Sequence, residues 1–179
     1  MKRTQAWLSV VALGVALGLA CSPSSEGLLV NVQTEFTPGL GFDAVRVSLD
    51  DRTQQEVGVR DVDRFVESRR VASYADAPHG RRRVTVHLVY RGGVVTTRVA
   101  EFEFSGSYLL NVVLSRACAD VNCSAGESCA GDRCVPRTCI TGYEPSCPVG
   151  RCRVDSDCPS AVACAVARCL TGFCVALPN

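Results

Sequence analysis

Lysine is nearly missing from this 179-residue chain: Lys2 is the only one, and every other basic residue is arginine. That bias suits a GC-rich coding sequence at least as well as any function. Histidine is equally scarce, with only His79 and His87. No charge excess exists either, since the formal net charge is +1. A near-neutral chain gives no electrostatic reason to expect nucleic acid as partner. The G-x-S-x-G, H-E-x-x-H and phosphate-cradling glycine patterns are absent, so common hydrolase, zinc-protease and nucleotide chemistries lack their usual residues. No apolar run approaches the ~20 residues of a spanning helix. What the chain has in excess is cysteine, 12 in all. That number suits an oxidising compartment, because reducing ones keep disulfides rare.

The first 20 residues read as a removable export signal. Lys2 and Arg3 open it, Trp7 to Ala16 form an apolar stretch, and small residues follow. That three-part order is the layout of a secretory signal. Cleavage falls before Cys21. Gly18-Leu19-Ala20-Cys21 resembles the lipobox of bacterial lipoproteins, and Ser22-Pro23-Ser24-Ser25-Glu26 follows as a polar tether. The resemblance implies acylation of Cys21, anchoring in a membrane through the N-terminal lipid, and, with Ser22 next, sorting to the outer membrane of the cell envelope. Gly18-x-Ala20 also satisfies the small-x-small rule of ordinary secretory cleavage, with the same cut site. Both readings remain open here. Removal of residues 1–20 takes away Lys2 and Arg3 and turns the net charge to −1.

Residues 27–115 alternate with period two. Leu28, Val30, Val32, Thr34 and Phe36 form one stripe. Val45, Val47 and Leu49 form another, as do Val84, Val86, Leu88 and Tyr90, and Tyr108, Leu110, Val112 and Leu114. Such stripes mark strands with one buried face. Pro38-Gly39, Pro78-His79-Gly80 and Ser105-Gly106-Ser107 separate them. Arg91-Gly92-Gly93, followed by Val94 to Phe104, gives the strongest hairpin signal. Val57–Val59 and Val71–Tyr74 read as weaker strands, and 61–69 as a helical turn or loop. Six or seven short strands point to an antiparallel β-sandwich. The pattern resembles the immunoglobulin-like and transthyretin-like sandwiches of exported bacterial proteins, folds that host many functions.

From residue 116 to 179 the composition changes. Eleven cysteines stand here beside only two aromatics, Tyr143 and Phe173. No helix or strand period is legible. So small a segment is expected to depend on disulfides, at about 2–4 kcal/mol each, with little regular secondary structure. The cysteines repeat. Cys118, Cys123, Cys129, Cys134 and Cys139 are followed by Cys152, Cys158, Cys164, Cys169 and Cys174. Both sets end C-x5-C-x4-C-x4-C, so two copies of one module are expected at 118–139 and 152–174. Cys147 has no counterpart. Lipidation of Cys21 leaves an odd eleven cysteines, hence one unpaired or intermolecular, and spacing does not choose the connectivity. Cys152-Arg-Val-Asp-Ser-Asp-Cys158-Pro159 resembles an element of Dickkopf-type cysteine-rich regions and of cysteine-rich lipoproteins from myxobacteria-like organisms. The resemblance implies an exported disulfide module and names no ligand. Gly126 and Gly172 sit where such modules carry turn glycines.

The candidate site residues all have plain structural roles open to them. Zinc would want C-x2–4-C pairs, often with histidine, whereas these cysteine spacings are mostly x4 and x5 and both histidines lie in the β domain, so no metal or other cofactor is expected. Asp155 and Asp157 lack the continuation of a calcium loop and read as a solvated turn. His79, His87, Glu101 and Glu103 read as surface residues, and no catalytic residue is expected. Arg69-Arg70 and Arg81-Arg82-Arg83 form a basic cluster that suits strand-end solvation better than lipid headgroups or polysaccharide. The expectation is a non-enzymatic envelope lipoprotein, a surface binding module for a protein or glycan ligand. A structural envelope protein without a ligand is the alternative, and a thiol-redox protein using an unpaired cysteine a third.

Overall fold

Alternating burial builds the first half of the molecule strand by strand. The computed structural model describes residues 27–141, 144, 147, 152–158, 165–170 and 172–178. The signal, the tether, Cys21 and Cys164 lie outside them. Seven strands form the sandwich: β1 (Leu28–Thr34), β2 (Ala44–Leu49), β3 (Thr53–Gly58), β4 (Arg69–Tyr74), β5 (Gly80–Tyr90), β6 (Gly93–Phe104) and β7 (Tyr108–Leu114). In β1 every second residue is buried from Leu28 to Thr34, as the sequence period requires. One sheet has the order β4-β1-β7 and the other β3-β2-β5-β6. All pairs are antiparallel except β1–β7, which is parallel. An immunoglobulin constant-type sandwich places its first, second, fourth and fifth strands in one sheet. Here the first shares a sheet with the fourth and seventh.

The two inner faces meet in one core. Val30, Val32, Val45, Val47, Val84, Val86 and Leu88 are fully buried in it, with Phe42 and Phe65 packed edge-on at 5.2 Å. Two bulges break the simple period. One falls between Val30 and Asn31 opposite β4, where Val71 and Ala72 are both buried. The other falls between Leu88 and Val89, which buries Val89 and leaves Tyr90 half-exposed under the Arg91 guanidinium. Residues 61–68 form a loop, pinned by buried Phe65, whose carbonyl accepts the Thr34 N–H at 2.8 Å.

Strand directions alternate, so the loops sort into two ends. The start of β1, residues 50–52, 75–79 and 105–107 lie at the end where Gly27 leads into β1, called the tether end below. Residues 35–43, 59–68 and the turn at 91–92 lie at the far end. Asp43 gathers that far end. Its carbonyl accepts from Val59, its carboxylate accepts from Arg91, and its own N–H donates to Val89, each at 2.8 Å. Gly39 makes the closest approach there. At φ +77 it lies so near Asp61 that a Cβ would sit 2.3 Å from Oδ1.

The cysteine-rich segment contains two hairpins. These are β8 (Glu127–Ala130) with β9 (Arg133–Pro136), and β10 (Ala165–Leu170) with β11 (Phe173–Pro178). A 3-10 turn precedes each, at Arg116–Cys118 and Asp155–Asp157. Among the described residues no helix is long and apolar enough to cross a membrane.

Candidate functional site

Each hairpin places two cysteines directly opposite each other: Cys129 with Cys134, and Cys169 with Cys174. These pairs are not bonded to each other. Each reaches back to a cysteine near its 3-10 turn, giving Cys118–Cys129, Cys123–Cys134, Cys152–Cys169 and Cys158–Cys174. The two modules therefore share one connectivity, first to third and second to fourth. The matching residues are Cys118, Cys123, Cys129 and Cys134 with Cys152, Cys158, Cys169 and Cys174. This register differs from the shared C-x5-C-x4-C-x4-C spacing, which matched Cys129 with Cys164 and Cys134 with Cys169. A fifth bond joins Cys139 to Cys147. All ten described cysteines from 118 onward are thus bonded. Gly126, Gly131 and Gly172 all take positive φ, at +87, +70 and +82, a conformation that favours glycine.

The first module is docked along the sandwich. β6 is an edge strand, paired with β5 on one side only. On the other side Val99 donates its N–H to Ser128 Oγ at 2.8 Å, and Glu101 donates its own to the Arg137 carbonyl at 2.9 Å. Ala119 and Ile140 pack against the sandwich core. The contacts run from the far end to the tether end, Thr96 with Cys118 first and Tyr108 beside Glu144 last. The module closes the open side between β6 and β7.

Arg98 is the centre of this junction. It lies on the inner face of β6 with Ala100, Phe102 and Phe104, and is 3% exposed. Its Nη1 donates to the carbonyls of Ser128 and Cys129, at 3.1 and 3.4 Å, and its Nη2 to that of Cys139. Its guanidinium also stands 5.7 Å from the Phe173 ring of the second module. Phe173 packs with Ala130, Val135 and Cys139 in a small second core. One side chain thus holds the sandwich and both modules together. The signal for it was available: the period that buries Phe102 and Phe104 puts Arg98 on the same face.

The remaining candidate residues fall into place around this frame. Four of the five arginines of the basic cluster are ion-paired. Arg81 binds Glu101, Arg82 binds Asp50 and Arg83 binds Asp51, each at 2.7 Å, while Arg69 binds buried Asp63 at 2.7 Å. Burial opposes ionisation of Glu101, but Arg81 and Arg137 outweigh it and hold its carboxyl below the usual range. Asp155 accepts from the Cys169 N–H and from Arg168, and Asp157 from the N–H groups of Arg153 and Val154. Those bonds hold both carboxyls low and make the pair the clasp of a turn. His87 is half-buried rather than a plain surface residue. It joins a row across the outer face, Glu56–Arg46–His87–Thr97, with Nδ1 2.8 Å from Thr97 Oγ1. Burial first, and then the Arg46 charge, lowers its pKa. Glu103 is exposed and His79 packs edge-on against Phe104 at 5.9 Å. The sulfurs of Cys152, Cys158 and Cys174 lie within 4.8 Å of one another, yet each belongs to a disulfide and has no thiolate to offer a metal.

Two surface features complete the picture. A cleft of about 310 Å³ at the tether end is lined by Leu29, Ser73, Tyr108 and Leu109 among others. At the far end, Leu40 and Val62 are 76% and 77% exposed on the two loops that meet at Gly39 and Asp61, with Val66 and Val94 also exposed. The chain matches no family model, no curated protein and no solved structure.

Proposed function

We propose that the mature chain is a non-enzymatic lipoprotein of the cell envelope, anchored in the outer membrane through Cys21, and that it binds a protein ligand by the far end of its sandwich. The observation that carries this reading is the pair of exposed side chains Leu40 and Val62, fixed on neighbouring loops at the end opposite the tether. Large aliphatic groups left in water together mark interaction surfaces more often than chance exposure does. Their loops are held from below by Asp43, so little conformational entropy is lost on binding. Neither loop carries an exposed aromatic ring, which favours protein over glycan as the ligand. The lipid anchor rests on Gly18-Leu19-Ala20-Cys21 and the polar residues after it, and the sandwich order suits the transthyretin-like type.

Affinity capture from envelope extracts tests this. The native chain is compared with a Leu40→Ser, Val62→Ser double variant. A truncated sandwich makes a poor control, because the module covers its β6–β7 side. We expect at least one protein enriched about tenfold on the native chain, since two exposed aliphatic side chains that a ligand covers contribute several kcal/mol of contact. Equal recovery on both would favour the structural envelope role instead.

A further inference from the structure

The five disulfides are not equivalent. Four belong to the repeated connectivity, whereas Cys139–Cys147 has no counterpart and closes the shortest span, eight residues. Cys147 Sγ lies 3.1 Å from Glu144 Oε2. The carboxylate is fixed there by Thr141. The Thr141 N–H donates to Oε1 at 2.8 Å and Oε2 at 3.0 Å, and its hydroxyl donates to Oε1 at 3.0 Å. In the disulfide Cys147 carries no proton, so a carboxylate oxygen faces sulfur lone pairs. In the dithiol the same atoms form an S–H···O hydrogen bond. One contact therefore disfavours the oxidised pair and favours the reduced one. Asp155, the acid beside Cys169, differs: its charge is met by Arg168.

Burial sets the order of attack. Cys139 is fully buried and Cys147 only half-buried, so an incoming thiolate meets Cys147 first. Reduction here leaves both modules with their paired cross-links. It does free Cys139 at the small core where Ala130, Val135 and Phe173 join the two hairpins.

We propose that Cys139–Cys147 is a thiol–disulfide exchange site, reduced by an external dithiol while the four repeated bonds stay closed. One thiolate of the dithiol attacks Cys147 Sγ. The Cys139–Cys147 bond breaks, and Cys139 leaves as a thiolate that takes up a proton. The second thiolate of the reagent attacks its own sulfur in the mixed disulfide. Cys147 departs with the electron pair, is protonated and donates to Glu144. The dithiol is oxidised to a disulfide, and two electrons and two protons end on Cys139 and Cys147.

Graded dithiothreitol, alkylation of the native protein and peptide mass mapping test the proposal. Cys139 and Cys147 should be labelled at about tenfold lower dithiol than any other pair, and Glu144→Gln, which removes the charge, should close most of that gap. Labelling of another pair first, or of all five together, would overturn it. So would a Glu144→Gln protein whose order and concentrations are unchanged. A Cys139→Ser, Cys147→Ser double variant should stay folded with the other four bonds closed and still unfold cooperatively, at a midpoint lowered by the loss of one cross-link. Loss of its fold would make the bond structural and overturn the proposal as well.

Discussion

Arg98 shows how much one residue decides. Three carbonyl acceptors from the first module converge on its guanidinium, away from water. A buried acceptor without a donor costs about 1–3 kcal/mol. Arg98→Met should therefore lower the unfolding free energy by about 3 kcal/mol or more, read from the denaturant midpoint. Arg98→Lys should recover only part, because an ammonium lacks the planar fork that serves several acceptors. A loss below 1 kcal/mol for the methionine variant, on the same scale, would remove Arg98 as the staple. His87 gives a pH signature at the same scale. Its folded pKa lies below the ordinary 6.5, so the unfolded chain takes up a proton that the folded chain declines. Stability then falls as pH drops from 6.5 toward the folded value. Asp63, Glu101, Asp155 and Asp157 are held low, and lose their contribution only further down, within and below the usual carboxylate range. Between pH 7.5 and 5.5 the thermal midpoint should decline in the native protein, and His87→Gln should flatten that slope. An equal slope in both would assign it to another group.

Strands and hairpins differ in how they announce themselves. The sandwich strands were legible because aliphatic residues alternate with polar ones, and the buried face of β1 follows that alternation residue by residue. The bulges were not legible, since an extra residue at Val71 or a phase slip at Val89 is set by the partner strand. The module hairpins hid for a different reason. Their bonding positions carry cysteine, so bond closure rather than apolar alternation marks the strands. The repeat was legible but its register was not. C-x4-C recurs several times in each set, and cysteine spacing slides by one member without penalty. The hairpin turns decide instead: Gly131 between Cys129 and Cys134, and Gly172 between Cys169 and Cys174, both at positive φ. The two open sides of the sandwich are closed by unlike devices. Between β3 and β4 the Gln55 amide imitates a peptide unit, donating to the Ser73 carbonyl at 2.9 Å and accepting its N–H at 3.3 Å. Between β6 and β7 the first module does the work, which protects an edge that would otherwise offer unpaired groups to another chain. The sandwich and the module are therefore not independent under reduction. Opening all five disulfides should speed amide exchange at Val99 and Glu101, whose N–H groups point into the module, and leave Val86 in the central strand protected. Unchanged exchange at Val99 and Glu101 would show that the edge is covered by something other than the disulfide-bonded module.

At the scale of the whole molecule the cysteines divide by role. Ten close five bonds, and those bonds use every described cysteine. Cys21 and Cys164 are the two that the sequence holds beyond them. The N-terminal chemistry decides what Cys164 has available. If Cys21 is acylated, its sulfur is consumed by a thioether and Cys164 has no partner left in the chain. If an ordinary signal is removed at the same cut site, Cys21 keeps its thiol and the pair can close a sixth bond. The anchor and the thiol count are thus one question. An intact mass of the mature protein, with and without alkylation before reduction, answers it. We expect acyl chains on residue 21 together with a single alkyl group, mapped to Cys164. A mass without lipid and with no alkyl group would replace the anchored protein with a secreted one, and would tie its N-terminal tether back onto the second module.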